Sequence, residues 1–272
     1  MMKHSLIRAD IYKHNLSEYG DSLINLRSPY TLIKAIYYME TASLFLFITQ
    51  KIIKSPNFIT FLYALTGVMG SFLLLSSQET VFYIGIFMVF TKGTFDWADG
   101  PLARSLNKTS FFGHALDIYG AHVCDAAFRV AFVYYTLGYY PDLTFLFPVI
   151  AFILLITKFN LFSDFLYYKN NTDSTLDNGK KVRSNEFEED LKDPKNIKGI
   201  AKWYYGYQSF LDARARSIDF LLLVLIVDTM FDYNLSKLLL TLSVLIILRA
   251  IVMYAAGVYL AFKVYKGGSA NG

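Results

Sequence analysis

No charge interrupts the chain from Ser55 to Gln78, a stretch long enough for a helix to cross a hydrocarbon core that needs roughly 20 residues. Comparable apolar runs recur, and they predict helical spans over about 57–77, 80–95, 113–137, 143–168, 218–231 and 238–262. The second of these continues into a polar segment carrying Asp96 and Asp99. Ahead of the first, residues 28–54 mix Leu32, Ile33, Ile36, Leu44, Phe47, Ile48 and Ile52 with Lys34, Glu40, Gln50 and Lys51. The longest apolar run there, Leu44–Ile48, is too short to cross, so the pattern predicts an amphipathic helix lying at the interface. Residues 170–198 are rich in Asn, Asp, Lys and Glu and read as a solvated loop. The first twenty residues contain no apolar h-region, and no cleavable signal peptide is expected.

Composition sharpens this into a class. Apolar types make up 54% and aromatics 17% of the 272 residues, against 18% charged, which argues against a water-soluble globule. The formal charge of +4 hides an uneven distribution of Lys and Arg, so it reports topology and not a nucleic-acid partner. Seven precede the first span, Arg104 and Lys108 join the second and third, and eight lie from Lys169 to Lys202, whereas the opposite side has only Lys237. The positive-inside rule therefore places both termini in the cytoplasm.

The expected fold is all-α: a polytopic membrane protein with six transmembrane helices preceded by an interfacial helix. Residues 1–54 form a cytoplasmic N-terminal segment, 55–266 the six-helix membrane domain with a polar cytoplasmic loop at 169–202, and 267–272 a tail. In a bacterium this would be the cytoplasmic or inner membrane. Cys124, the only cysteine, cannot form an internal disulfide and reads as a small buried hydrophobe. Arg249 and Asp228 fall inside the last two spans, where antiparallel helices could pair them.

Candidate chemistry gathers at the facing ends of the second and third spans. The chain reads Asp96-Trp97-Ala98-Asp99-Gly100-Pro101-Leu102-Ala103-Arg104, then eight residues, then Gly113-His114-Ala115-Leu116-Asp117. Asp96 and Asp99 lie three apart on one helix face, and Gly100 and Ala103 continue that face with almost no side chain. Asp117 can face the pair if the connection folds back as a hairpin. Three carboxylates beside a small-residue face suit Mg²⁺ or Mn²⁺ with phosphate oxygens, and Arg104 adds a planar phosphate donor. The competing reading has these acids capping helix ends or pairing with Lys92, Arg104 and Lys108.

This pattern resembles the signature of the CDP-alcohol phosphotransferase family, D-x-x-D-G-x-x-A-R, eight residues, then G-x-x-x-D-x-x-x-D. Ser55-Pro56-Asn57-Phe58-Ile59-Thr60 is similar to the P-N-x-x-T segment beside the cytidine pocket of family members. The resemblance implies six transmembrane helices after an interfacial helix. It implies two divalent cations held by Asp96, Asp99 and Asp117 on the diphosphate of a CDP-alcohol such as CDP-diacylglycerol. Pro56, Asn57, Thr60, Gly100, Ala103, Arg104 and Gly113 would surround the nucleotide. Lys158, Arg214 and Arg216 lie at the cytoplasmic ends of the fourth and fifth spans, where such side chains commonly snorkel to headgroups; the resemblance offers the alternative of acceptor or phosphate contacts. The partners implied are membrane lipid, the CDP-linked donor and an alcohol acceptor, with a homodimer left open.

One signature position departs. The final aspartate, the family's proposed base, falls at Ala121. Asp125 and His114 are the stand-ins, because positions 114, 117, 121 and 125 fall within about 80° of one helix face at 100° per residue. Asp125 is also spaced i,i+4 from Arg129, which suits an ion pair. The rival readings are a member that binds metal and nucleotide without turnover, and a transporter that uses intramembrane acids as a relay.

Overall fold

Helix-forming patterns become helices throughout the computed structural model, which describes residues 3–19, 29–158, 214–231 and 233–268; no strand occurs among the described residues. The first helix, α1, runs His4–Tyr19 and was not marked by any apolar stripe in the sequence; α2, Pro29–Thr49, is the helix expected ahead of the first apolar stretch. Ser55 in extended conformation and Pro56 at the first helical position start α3, Pro56–Leu73, where the missing proline N–H costs nothing. Then come α4, Glu79–Thr91, α5, Gly93–Ser105, and α6, Phe111–Leu137. A 3₁₀ turn, Pro141–Leu146, leads into α7, Phe147–Lys158. The chain continues with α8, Arg214–Phe231, and α9, Ser236–Gly268.

A helix stands over the described part of each apolar stretch. Among the described residues, however, only Pro56–Leu73 is both long and apolar enough to cross a membrane, while Ile36–Thr49 and Pro141–Thr157 are apolar but shorter. One reason is a break in the second stretch at Lys92. The Tyr38 hydroxyl of α2 donates to the Phe90 carbonyl at 2.6 Å, and Thr41 Oγ1 meets Thr94 Oγ1 at 2.9 Å. A side chain inserted into the backbone ladder interrupts a helix. Gly93 restarts it because a Cβ there would stand 2.6 Å from the Tyr38 ring. The expected loop at 169–202 lies outside the described residues.

The chain divides into two compact units, Met1–Ala131 and Phe132–Gly272. In the first, Ile7 and Ile11 of α1, Met39, Ala42 and Leu46 of α2, Ile59 of α3, and Ala98 and Leu102 of α5 form one buried cluster. Small residues bring α3 and α6 together: Gly67 faces Cys124, whose thiol reaches the Tyr63 and Ala64 carbonyls at 3.7 and 3.6 Å. Buried Cys124 is thus the small packing residue expected. In the second unit, Asp228 of α8 accepts hydrogen bonds from Tyr135 of α6 and Tyr139 in the turn after it, at 2.7 and 2.6 Å, and from the Leu235 N–H at 2.7 Å. Two tyrosine hydroxyls and a backbone amide thus surround the Asp228 carboxylate.

Candidate functional site

The acids stand on the helix that follows Lys92, a residue that itself keeps helical angles of φ −52° and ψ −33°. Restarted at Gly93, α5 buries Ala98, Pro101 and Leu102 against the helices behind it, which turns Asp99, Gly100 and Ala103 toward the first turn of α3 and the start of α6. The helix ends at Asn107, whose φ of 53° is the left-handed conformation. There the Lys108 N–H reaches the Ala103 carbonyl at 2.8 Å and the Asn107 N–H reaches Arg104 at 3.1 Å, a Schellman closure that folds the chain back. The expected hairpin therefore forms. Ser110 Oγ then accepts the Gly113 N–H at 3.0 Å and caps α6.

These elements enclose a cleft of about 220 Å³. Pro56, Asn57 and Thr60 line it from α3; Asp99, Gly100, Ala103 and Arg104 from α5; Gly113, His114 and Asp117 from α6. Gly113 matters sterically, because a Cβ there would lie 3.1 Å from Asn57 Oδ1 and 3.2 Å from Ser110 Oγ. At Gly100 the same atom would come within 3.3 Å of an Arg104 Nη, so the guanidinium lies across the bare face of the helix. Lys108, Thr109 and Ser110 also line the cleft and were missed in the sequence. Their signal was present: a connection this short between the two halves of the motif has to pass along the rim. Lys108 Nζ ties that rim to the Lys54 carbonyl at 3.2 Å.

Asp99 is held by Thr60 Oγ1, which donates to its Oδ2 at 2.6 Å. Burial pushes the Asp99 carboxyl up to about 6, helped by the charge of Asp117 and opposed by hydrogen bonds from Thr60 and the Gly100 backbone. Asp96 does not line the cleft. It is half-buried behind it and hydrogen-bonded to Asp117, and burial, then the charges of Asp117 and Asp99, push its carboxyl up. Lys92 opposes that shift; its ammonium sits 5.0 Å from the Tyr63 ring centre. Three acids therefore crowd one place with like charges facing one another. No three His, Cys, Asp or Glu among the described residues are grouped as a ready-made metal site. The donor set itself, carboxylate oxygens of which those of Asp96 and Asp99 are disfavoured as anions by burial and by neighbouring acids, fits a hard divalent cation.

The two stand-ins for the missing acid part company. Asp125 is fully buried and accepts from Arg129 Nε at 2.8 Å, without lining the cleft. His114 is exposed on the cleft wall. Ala121 is half-buried on α6 and does not line the cleft. The side chains of Lys158, Arg214 and Arg216 lie outside the described residues.

Residues 53–181 match the family model of CDP-alcohol phosphatidyltransferase. This is a family of transferases in phospholipid synthesis, typically embedded in membranes. No curated protein and no solved structure matches the chain.

Proposed function

We propose that this chain, which carries a CDP-alcohol phosphatidyltransferase domain over residues 53–181, moves a substituted phosphoryl group from a CDP-alcohol such as CDP-diacylglycerol to an acceptor alcohol and releases CMP. The observation that carries the reading is one cleft lined by Asp99 and Asp117, with Asp96 hydrogen-bonded behind them and Gly100, Ala103, Arg104 and Gly113 in the same wall. Asp96, Asp99 and Asp117 would hold two Mg²⁺ or Mn²⁺ ions. When bound, these supply positive charge to the diphosphate and to the departing CMP.

The chain's own groups divide the remaining work. The acceptor oxygen bonds to the β-phosphorus as the bond from that phosphorus to the CMP oxygen breaks, and CMP leaves with the electron pair. Arg104 pairs with diphosphate oxygens. Thr60 fixes the orientation of Asp99, while Gly100 and Gly113 let the nucleotide lie against backbone. The acceptor proton needs a base, and Ala121 cannot serve. With Asp125 engaged by Arg129, His114 is the stand-in on the cleft wall. Six membrane crossings with both termini and the cleft at the cytoplasmic face would let a soluble nucleotide product leave while lipid enters from the side.

Radiolabelled CDP-diacylglycerol supplied to membranes with Mn²⁺ tests this reading through CMP release. Release that depends on Mn²⁺ and is lost in Asp117→Asn supports it. Binding of CMP with Mn²⁺ but no release, even after Ala121→Asp, marks a family member that holds nucleotide without turnover. No Mn²⁺-dependent binding of any cytidine nucleotide removes the reading.

A further inference from the structure

Arg104 sits within electrostatic reach of Asp99, yet its ion pair points the other way. Its Nη2 is 3.6 Å from Asp10 Oδ2 on α1, a helix that precedes the family-matched stretch. Neither Nε nor Nη2 makes a hydrogen bond among the described residues. One edge of the guanidinium is therefore held by the charge of Asp10 while Nη1 lies over Gly100 in the cleft wall, and the buried Nε and Nη2 remain unspent as donors.

Asp10 is well anchored for such a role. Two residues earlier, Arg8 grips both Glu40 oxygens of α2 with Nε at 2.8 and 2.9 Å, and the Tyr12 hydroxyl donates to the same carboxylate. His4 Nε2 meets Ser43 Oγ at 3.1 Å. Ile7 and Ile11 are buried in the cluster with Met39, Leu46 and Leu102, so the far side of α1 is packed against α2 and α5. A bidentate Arg–carboxylate fork and an apolar face together hold the helix in register with α5.

The physical problem that Asp10 solves is competition. A free guanidinium on a long, rotatable stem next to three carboxylates pairs with them and occupies the oxygens that a divalent cation needs. An acid on the opposite side holds it off. We propose that Asp10 is a positioning residue: it holds Arg104 away from Asp99 and Asp117, keeping those oxygens open to the cation and the guanidinium free for the diphosphate. The inference rests on the transferase reading above, and it makes α1 part of the site although the family match begins at residue 53.

Mn²⁺ titration of the purified full chain, followed by the electron spin resonance of free Mn²⁺, tests it. Asp10→Asn should raise the Mn²⁺ dissociation constant about three- to fivefold, the scale of a partly exposed ion pair, and Asp10→Ser should do the same. Asp10→Glu should behave as wild type. Arg104→Met should bind Mn²⁺ at least as tightly as wild type, and adding Asp10→Asn to it should change nothing further. That rescue separates positioning from mere loss of helix docking, which would weaken binding whatever residue stands at 104. Unchanged Mn²⁺ affinity in both Asp10 variants, or a double variant as weak as Asp10→Asn alone, overturns the inference while leaving the transferase reading intact. A wild-type chain that binds no Mn²⁺ overturns both.

Discussion

Asp228 and Asp96 are both acids drawn away from water, and their surroundings are opposite in sign. Asp228 is 3% exposed and receives three donors, two tyrosine hydroxyls and a backbone N–H, all within 2.7 Å. Its oxygens are supplied with hydrogen, so it ties α6, α8 and the start of α9 together. Asp96 meets another carboxylate, Asp117, with Asp99 close by, and Lys92 as the opposing cation. A buried acid given donors stabilises a fold; a buried acid facing acids destabilises it until something positive arrives. The contrast separates structural carboxylates from those kept for a ligand, and Asp125, paired with Arg129, falls on the structural side.

The largest effects should come from breaking the unsatisfied set. Asp99→Asn should lower CMP release at least about 100-fold, since on the proposed reading it removes an oxygen ligand, while the metal-free protein melts no lower than wild type because one repelling charge has gone. A fall in both activity and metal-free melting temperature would put Asp99 in the same class as Asp228.

Next in size is the repair of the departure on α6. Ala121→Asp should raise CMP release by at least about tenfold, the low end of what a positioned base contributes. If wild type already turns over at an ordinary rate and His114→Gln abolishes it, the histidine has taken the role.

The satisfied acid should fail in the opposite way. Asp228→Asn should cost about 1–3 kcal/mol of stability, because an amide offers a donor where two hydroxyls already donate, and Mn²⁺ affinity should stay the same. Thermal unfolding and Mn²⁺ titration of the same preparation check both halves.

The smallest effect is on pH dependence. The folded-state carboxyl of Asp99 is raised to about 6, so between its unfolded value near 3.9 and 6 the folded chain binds more protons than the unfolded one. The resulting destabilisation is full above pH 6 and is relieved as pH falls toward 4. Metal-free protein should therefore melt higher at pH 5 than at pH 7.5, and Mn²⁺ should remove the difference. A melting temperature that rises with pH across this window would mean that Asp99 is stabilised as the anion.

The sequence by itself determined that the chain is helical and that a helix long and apolar enough to cross a membrane follows Ser55, and it put Asp96 and Asp99 on one face with Asp117 able to join them. These follow from local rules: charge-free length, and carboxylates at a three-residue spacing on one helix followed by a short connection that can fold back. Only the tertiary structure decided the rest. The helix break at Lys92 depends on a tyrosine from α2 reaching the Phe90 carbonyl, and nothing within residues 79–105 announces it. The partner of Asp125 was legible in its i,i+4 spacing from Arg129, but that of Asp228 was not, since its donors come from Tyr135, Tyr139 and Leu235. Asp10 reaches Arg104 because α1 docks on α2 and α5 through Ile7, Ile11 and the Arg8–Glu40 fork. Contacts between residues far apart in the chain are set by packing, and a periodicity read along one element at a time does not contain them.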